Sequence, residues 1–164
     1  MKTNEINDES QAEYKTEKLG SDETILAKAA DILFSRIKRG FVRIENCADL
    51  QEFFKFKLGA RDIEVFATVT LDSQNRVINY HELVFGTVNE AKIHPRLVME
   101  KIFEDKAASV IFCHNHPSGS VTPSRSDNTL TTEFKKHLDF FGINLIDHVI
   151  VGNNEHYSYA AMGL

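Results

Sequence analysis

Between Phe112 and Asp127 the sequence reads FCHNHPSGSVTPSRSD: two histidines one residue apart, an interval of ten residues, then an aspartate. On extended backbone, residues i and i+2 point to the same side. His114 and His116 can therefore reach one point in space, while Asn115 faces away. Pro117 ends the strand and Gly119 lets the chain turn. Asp127 falls in the first turn of the helix that follows, from where its carboxylate can return toward the imidazole pair. Two imidazoles and one carboxylate suit zinc, Zn2+. Three protein ligands leave the fourth tetrahedral position open, the catalytic arrangement, and a water held there has its pKa lowered to roughly 7.

Asp127 has a second reading. Ser124 and Asp127 have the S-x-x-D spacing of a capping box, and an acid in the first turn also favours the helix dipole. The two roles are compatible, because the dipole keeps the carboxylate ionised, as a ligand must be. A water activated this way still needs a proton acceptor. Glu64 is a charge inside an otherwise apolar and Thr-rich strand, where burial would raise its pKa toward a useful value. The alternatives are that Glu64 faces solvent on an edge strand, or that Glu82 on the returning strand is the base.

The elements that must position these residues follow from periodicity. Ile25, Ala29, Ile32, Leu33 and Ile37 recur at helical spacing after a cap at Ser21 or Asp22, and Gly40 stops the helix. A shorter helix covers residues 48–58 and ends at Gly59. Residues 61–71 (RDIEVFATVTL) change the period to two, with Ile63, Val65, Ala67, Val69 and Leu71 on one face. The turn cluster at residues 72–75 and a return over residues 76–85 make a hairpin. Pro95 opens a helix to about Lys106. Residues 108–113 form a buried strand that ends at the histidines. A helix opened by Pro123 and Ser124 carries Leu130, Phe134, Leu138 and Phe141 on one side and stops at Gly142. Residues 143–151 and 155–159 form the last strands. The expectation is an α/β fold, a sheet covered by helices.

The chain has 164 residues, 42% hydrophobic and 10% aromatic, enough for one domain with its own core. The divisions are a polar N-terminal tail over residues 1–20, a helix within 21–44 and the main domain over 45–164. A net charge of -5 speaks against backbone-driven nucleic-acid binding, though a local basic patch stays open. No apolar run is long enough to span a membrane, and the polar start has no apolar signal core. Cys47 and Cys113 share no C-x-x-C spacing and read as buried, reduced thiols, which fits a cytoplasmic location.

The spacing H-x-H-P, then seven residues from Pro117 to Pro123, then Ser124-x-x-Asp127, resembles the JAMM (MPN+) metallopeptidase motif at every defining position. The version here, HNHPSG…PS..D…T followed by LIDHVIVG, together with GTVNEAKIHPR at residues 86–96, is similar to the bacterial RadC subfamily, over about residues 45–164. The resemblance implies a curved mixed sheet with flanking helices, similar to the cytidine-deaminase arrangement. It implies zinc on His114, His116 and Asp127, Glu64 as general acid/base, and Ser124 as a hydroxyl that stabilises the oxyanion. Longer RadC proteins carry an N-terminal helix-hairpin-helix region, for which the N-terminus here is too short. Eukaryotic JAMM isopeptidases usually have Ser where this chain has Asn115, and their ubiquitin-groove insertions are missing. The deaminase signature, H-x-E with P-C-x-x-C, is absent. The letters HNH do not indicate an HNH nuclease, whose named residues are dispersed over a ββα unit.

Asp147-His148 has two readings, an outer layer orienting a ligand imidazole or a hydrogen-bonded structural pair. His94 belongs to the start of a helix, and His81, His137 and His156 are surface or structural. The expected function is zinc-dependent hydrolysis of a peptide or isopeptide bond in a peptide or protein substrate. RadC-like proteins are linked to DNA repair, so the alternative is a non-catalytic module binding DNA or a repair protein.

Overall fold

The structure is a computed structural model that describes residues 22–39, 44, 48–85, 93–153 and 155–163. The tail expected over residues 1–20, Cys47 and residues 86–92 of the RadC-like segment lie outside the described residues. The elements run α1 (Asp22–Arg39), α2 (Ala48–Leu58), β1 (Val65–Leu71), β2 (Val77–Phe85), α3 (Pro95–Glu104), β3 (Ser109–Asn115), α4 (Arg125–Phe140), β4 (Asn144–Val151) and β5 (His156–Ser158), followed by a 3-10 turn at Ala160–Met162.

The strands make one mixed sheet in the order β2-β1-β3-β4-β5. The β3/β4 pair is parallel and the other three pairs are antiparallel. The two-residue period of β1 explains its complete burial, because each face meets its own helical layer. Val65, Ala67, Val69 and Leu71 pack with Ile111 and Cys113 of β3 against Ala30 of α1 and Leu50, Phe53, Phe54 and Leu58 of α2. Phe66, Val110 and Phe112 face the other way, onto Val98 and Ile102 of α3 and Phe134 and Leu138 of α4. Cys113 is buried, as expected.

Two boundaries differ from the sequence reading in ways that matter for the site. β3 does not end before the histidines but runs on through His114 and Asn115, because Asn115 still pairs with Val151 of β4. β1 begins at Val65 rather than Arg61, so Glu64 stands just before the strand. Extending the register of Phe66 opposite His114 by two residues would set Glu64 opposite His116. Gly142 has φ 69, the left-handed conformation that ends α4, and Ile143 N–H reaches back to the Leu138 carbonyl at 2.9 Å. Among the described residues no helix is long and apolar enough to cross a membrane.

Candidate metal centre

The site forms where β3 ends and α4 begins, at the carboxyl end of a strand and the amino end of the following helix. His114 and His116 come from one extended segment and converge as the i, i+2 rule requires. The interval between them and α4 is held in place from both sides. His116 N–H bonds the Val151 carbonyl at 3.0 Å, and Gly119 N–H bonds the His116 carbonyl at 2.9 Å. Gly119 has φ +79, and a Cβ there would stand 2.7 Å from the Asn153 side-chain nitrogen. Ser124 then caps α4. Its Oγ accepts the Asp127 N–H at 3.1 Å, and its own N–H donates to Asp127 Oδ2 at 2.7 Å. Asp127 is thus a capping-box acid and a member of the cluster at once, because the cap itself aims the carboxylate at the histidines.

His114, His116 and Asp127 form the group of side chains among the described residues able to hold a metal ion, with their donor atoms within 4.8 Å of one another. The two Nε2 atoms are 3.0 Å apart. Each lies 3.5 Å from an Asp127 oxygen, Oδ1 for His114 and Oδ2 for His116. Two ligands on one tetrahedral zinc, each at about 2.0–2.1 Å, stand about 3.3–3.4 Å apart. The triangle therefore fits a zinc ion.

The hydrogen bonds around the triangle fix which atoms carry protons. His116 Nδ1 is 2.7 Å from the Ser120 carbonyl, which only accepts. The proton of the neutral ring is therefore on Nδ1 and its lone pair on Nε2. The Thr131 hydroxyl, one turn beyond Asp127, donates its single proton to the Asp127 carbonyl at 2.6 Å. It must then accept from His148 Nδ1, also at 2.6 Å. That leaves the lone pair of neutral His148 on Nε2, 2.8 Å from His114 Nδ1, which donates to it. His114 Nε2 is consequently also a lone pair. With both rings neutral, two imidazole lone pairs and a carboxylate face one another, a place for a cation that the proton of a charged His116 fills when no metal is bound.

Electrostatics agree with the neutral state assigned to His114 and His148, while His116 holds its proton more tightly. Burial lowers the His114 pKa to about 4, against the opposing pull of Asp127, so the ring is neutral near pH 7. Burial also holds His148 well below its usual value. The hydrogen bond with Asp127 raises His116, with burial opposing it. Burial would raise Asp127, but its bonds with His116 and Ser124 and the nearby His114 ring outweigh this and hold it well below the usual carboxylate range. Glu64 moves the other way. Burial raises its pKa, the His116 charge partly offsets that, and the Asp127 charge adds to it. Glu64 is not one of the clustered donors, yet it lies within the field of two of them.

Glu82, the rival base, is engaged elsewhere. It pairs with Arg61 at 3.4 Å and accepts from Tyr80 Oη at 3.1 Å. The Asp147-His148 pair divides between its two readings. His148 touches a cluster histidine and is walled by Phe66, Phe112 and a stacked Tyr159 ring. Asp147 accepts from the backbone of His148 and Ala160 and from Ser158 Oγ, a staple for the C-terminal segment. Of the remaining histidines, His81 is bonded to Asp105 at 2.6 Å, and His94 caps α3 without a side-chain bond. Thr131 closes the quoted pattern HNHPSG…PS..D…T, four residues beyond Asp127, but was given no role from the sequence. Asn115 was also passed over, as a residue facing away.

The α/β sheet gathers, at one strand-to-helix junction, an H-x-H pair and a helix-capping aspartate that could hold a metal ion, and comparison with known proteins specifies the class. Residues 44–164 match the RadC-like JAB domain, and the chain belongs to that family. A "UPF0758 protein" of Vibrio cholerae serotype O1 is 40% identical over 142 residues, covering 87% of this chain and 90% of that protein. Another of the same name, from Shewanella piezotolerans, is 44% identical over 128 residues, covering 77% of this chain and 56% of that protein. The matched region is therefore nearly the whole of the first relative and little more than half of the second.

Proposed function

We propose that this chain is a zinc-dependent hydrolase of peptide or isopeptide bonds. The observation that carries the reading is the convergence of two imidazole lone pairs and one carboxylate at tetrahedral ligand spacing. His114 and His116 through Nε2, together with Asp127, would hold the ion. Zinc in that position supplies Lewis acidity, polarising the substrate carbonyl and lowering the pKa of a water to roughly 7.

The chain's own residues supply the rest. Glu64, with its raised pKa and its place in the field of His116 and Asp127, accepts the attacking water's proton and passes it to the departing amine. The water oxygen bonds to the carbonyl carbon and the C–N bond breaks, so that one product leaves as the carboxylate and the other as the amine. Ser124 is exposed, and its Oγ lies 2.8 Å from Ser126 Oγ. If it accepts from both Ser126 and Asp127 N–H, its own proton is free for the developing oxyanion. A well-placed donor of this kind is worth about 3 kcal/mol.

The test is hydrolysis of a mixed peptide and isopeptide library by the zinc-loaded chain. We expect cleavage that a chelator abolishes and added zinc restores, and that Glu64→Gln lowers by about 10²- to 10⁴-fold with zinc retained. Cleavage indifferent to both the chelator and Glu64→Gln would overturn the reading, as would failure of the zinc-loaded chain to cleave any member.

A further inference from the structure

The ladder between β1 and β3 runs from Leu71 opposite Ser109 to Phe66 opposite His114, where its pairing ends. β3 continues through Asn115, which pairs with Val151 on its other side. Where β1 peels away, the Asn115 side chain takes the place of a neighbouring strand. Its Oδ1 accepts the Val65 N–H at 2.8 Å. Its Nδ2 donates to the Ile63 carbonyl at 3.0 Å and the Arg61 carbonyl at 3.3 Å. The residue is 1% exposed, so water does not compete strongly for these partners.

The three bonded groups bracket Glu64: a carbonyl on the residue before it, the N–H on the residue after it, and a carbonyl three residues upstream. We propose that Asn115 is the positioning residue for Glu64. Lying between the two histidines, it fixes the backbone that carries the base, so that one stretch of β3 sets both imidazole ligands and the base relative to them. This rests on the reading of Glu64 as the base. The chemistry asks for one acceptor and two donors in a single plane on a short stem, which is what an asparagine carboxamide offers. Serine is shorter and has one donor. Aspartate keeps the acceptor but turns an oxygen toward two carbonyls. Placement matters at this scale, since a shift of about 1 Å in a reacting group can cost on the order of a hundredfold in rate.

Acetohydroxamate is a suitable probe, because it chelates zinc and gives up its hydroxyl proton to a carboxylate within reach. Its affinity for the zinc-loaded full chain is measured in wild type, Asn115→Ser, Glu64→Gln and the double variant, alongside zinc affinity by chelator competition. We expect Asn115→Ser to keep wild-type zinc affinity, to exchange its Val65 amide faster, and to bind the probe about tenfold more weakly, the scale of one lost charge-assisted bond. In the Glu64→Gln background the same substitution should have no further effect. Should Asn115→Ser fail to fold, Asn115→Thr, closer in volume and equally uncharged, carries the same test. Wild-type probe affinity in the Asn115 variant, or an equal loss with and without Glu64, would overturn the proposal while leaving the function intact. Loss of zinc in the variant would also overturn it, by showing that Asn115 supports the ligands instead. A wild-type chain that takes up no zinc would overturn the proposed function, and this inference with it.

Discussion

At the scale of single residues, the site is a problem in proton placement. The Thr131–His148–His114 relay begins on the backbone of one donor residue, Asp127, and ends on the ring of another. Thr131→Val is nearly isosteric and removes only the hydroxyl. His148 then has no fixed tautomer to present to His114. We expect zinc affinity to fall roughly 10- to 100-fold by chelator competition, with the fold retained. Unchanged affinity would mean that the relay is packing alone.

The pKa shifts give a second expectation at this scale. Zinc needs neutral imidazoles and an ionised carboxylate. His114 stays neutral down to about pH 4, and Asp127 stays ionised over that range. His116 has its pKa raised in the metal-free chain, chiefly by Asp127. Below that raised pKa a proton must leave His116 before zinc can bind. Apparent affinity should therefore fall about tenfold per pH unit below the raised His116 pKa, with close to one proton released per zinc in calorimetry there. Release of two protons at pH 6 would contradict the assignment.

At the scale of elements, the site exists because a strand, a turn and a helix start are held in fixed relation. Two glycines with positive φ allow a controlled comparison. At Gly142 a Cβ meets nothing within 4 Å, so Gly142→Ala carries only the backbone cost, about 1–2 kcal/mol. At Gly119 the conformation is similar, but the Cβ would collide with Asn153. Gly119→Ala should lower the melting temperature more and also weaken zinc binding, because the same turn delivers the Ser120 carbonyl that orients His116. Thermal melts with and without zinc separate the two. An equal loss in both variants, with zinc affinity untouched, would contradict this view of the loop.

These elements were largely legible in the sequence, since apolar period, Gly stops and the Pro123-Ser124 start are local signals. The end of β1 was not. Residues 61–64 continue the alternation of β1, and what removes them from the ladder is a side chain fifty residues away at Val65's partner, Asn115. Pattern alone does not reveal a backbone group satisfied by a distant carboxamide.

At the scale of the whole molecule, the sheet separates two apolar layers, and the site opens at one end of it. The clustered donors were legible because their spacing is set by one strand and one helix start. His148 was half legible: the dipeptide stood out, but only the parallel pairing of β3 with β4 separates the role of His148 from that of Asp147. The different surroundings of Glu64 and Glu82 also needed three dimensions: Glu64 lies in the field of His116 and Asp127, whereas Glu82 is held by Arg61 and Tyr80. The net charge of -5 gives no general attraction for nucleic acid, so any DNA affinity would have to come from a local patch.

The central claim is that His114, His116 and Asp127 share one metal ion, and metal content tests it most directly. The chain purified without chelators and offered zinc should hold about one zinc per molecule, as a single three-ligand site requires. His116→Ala and Asp127→Ala should each lose it while remaining folded. A wild-type chain that stays free of zinc, or variants that hold as much zinc as wild type, would contradict the account.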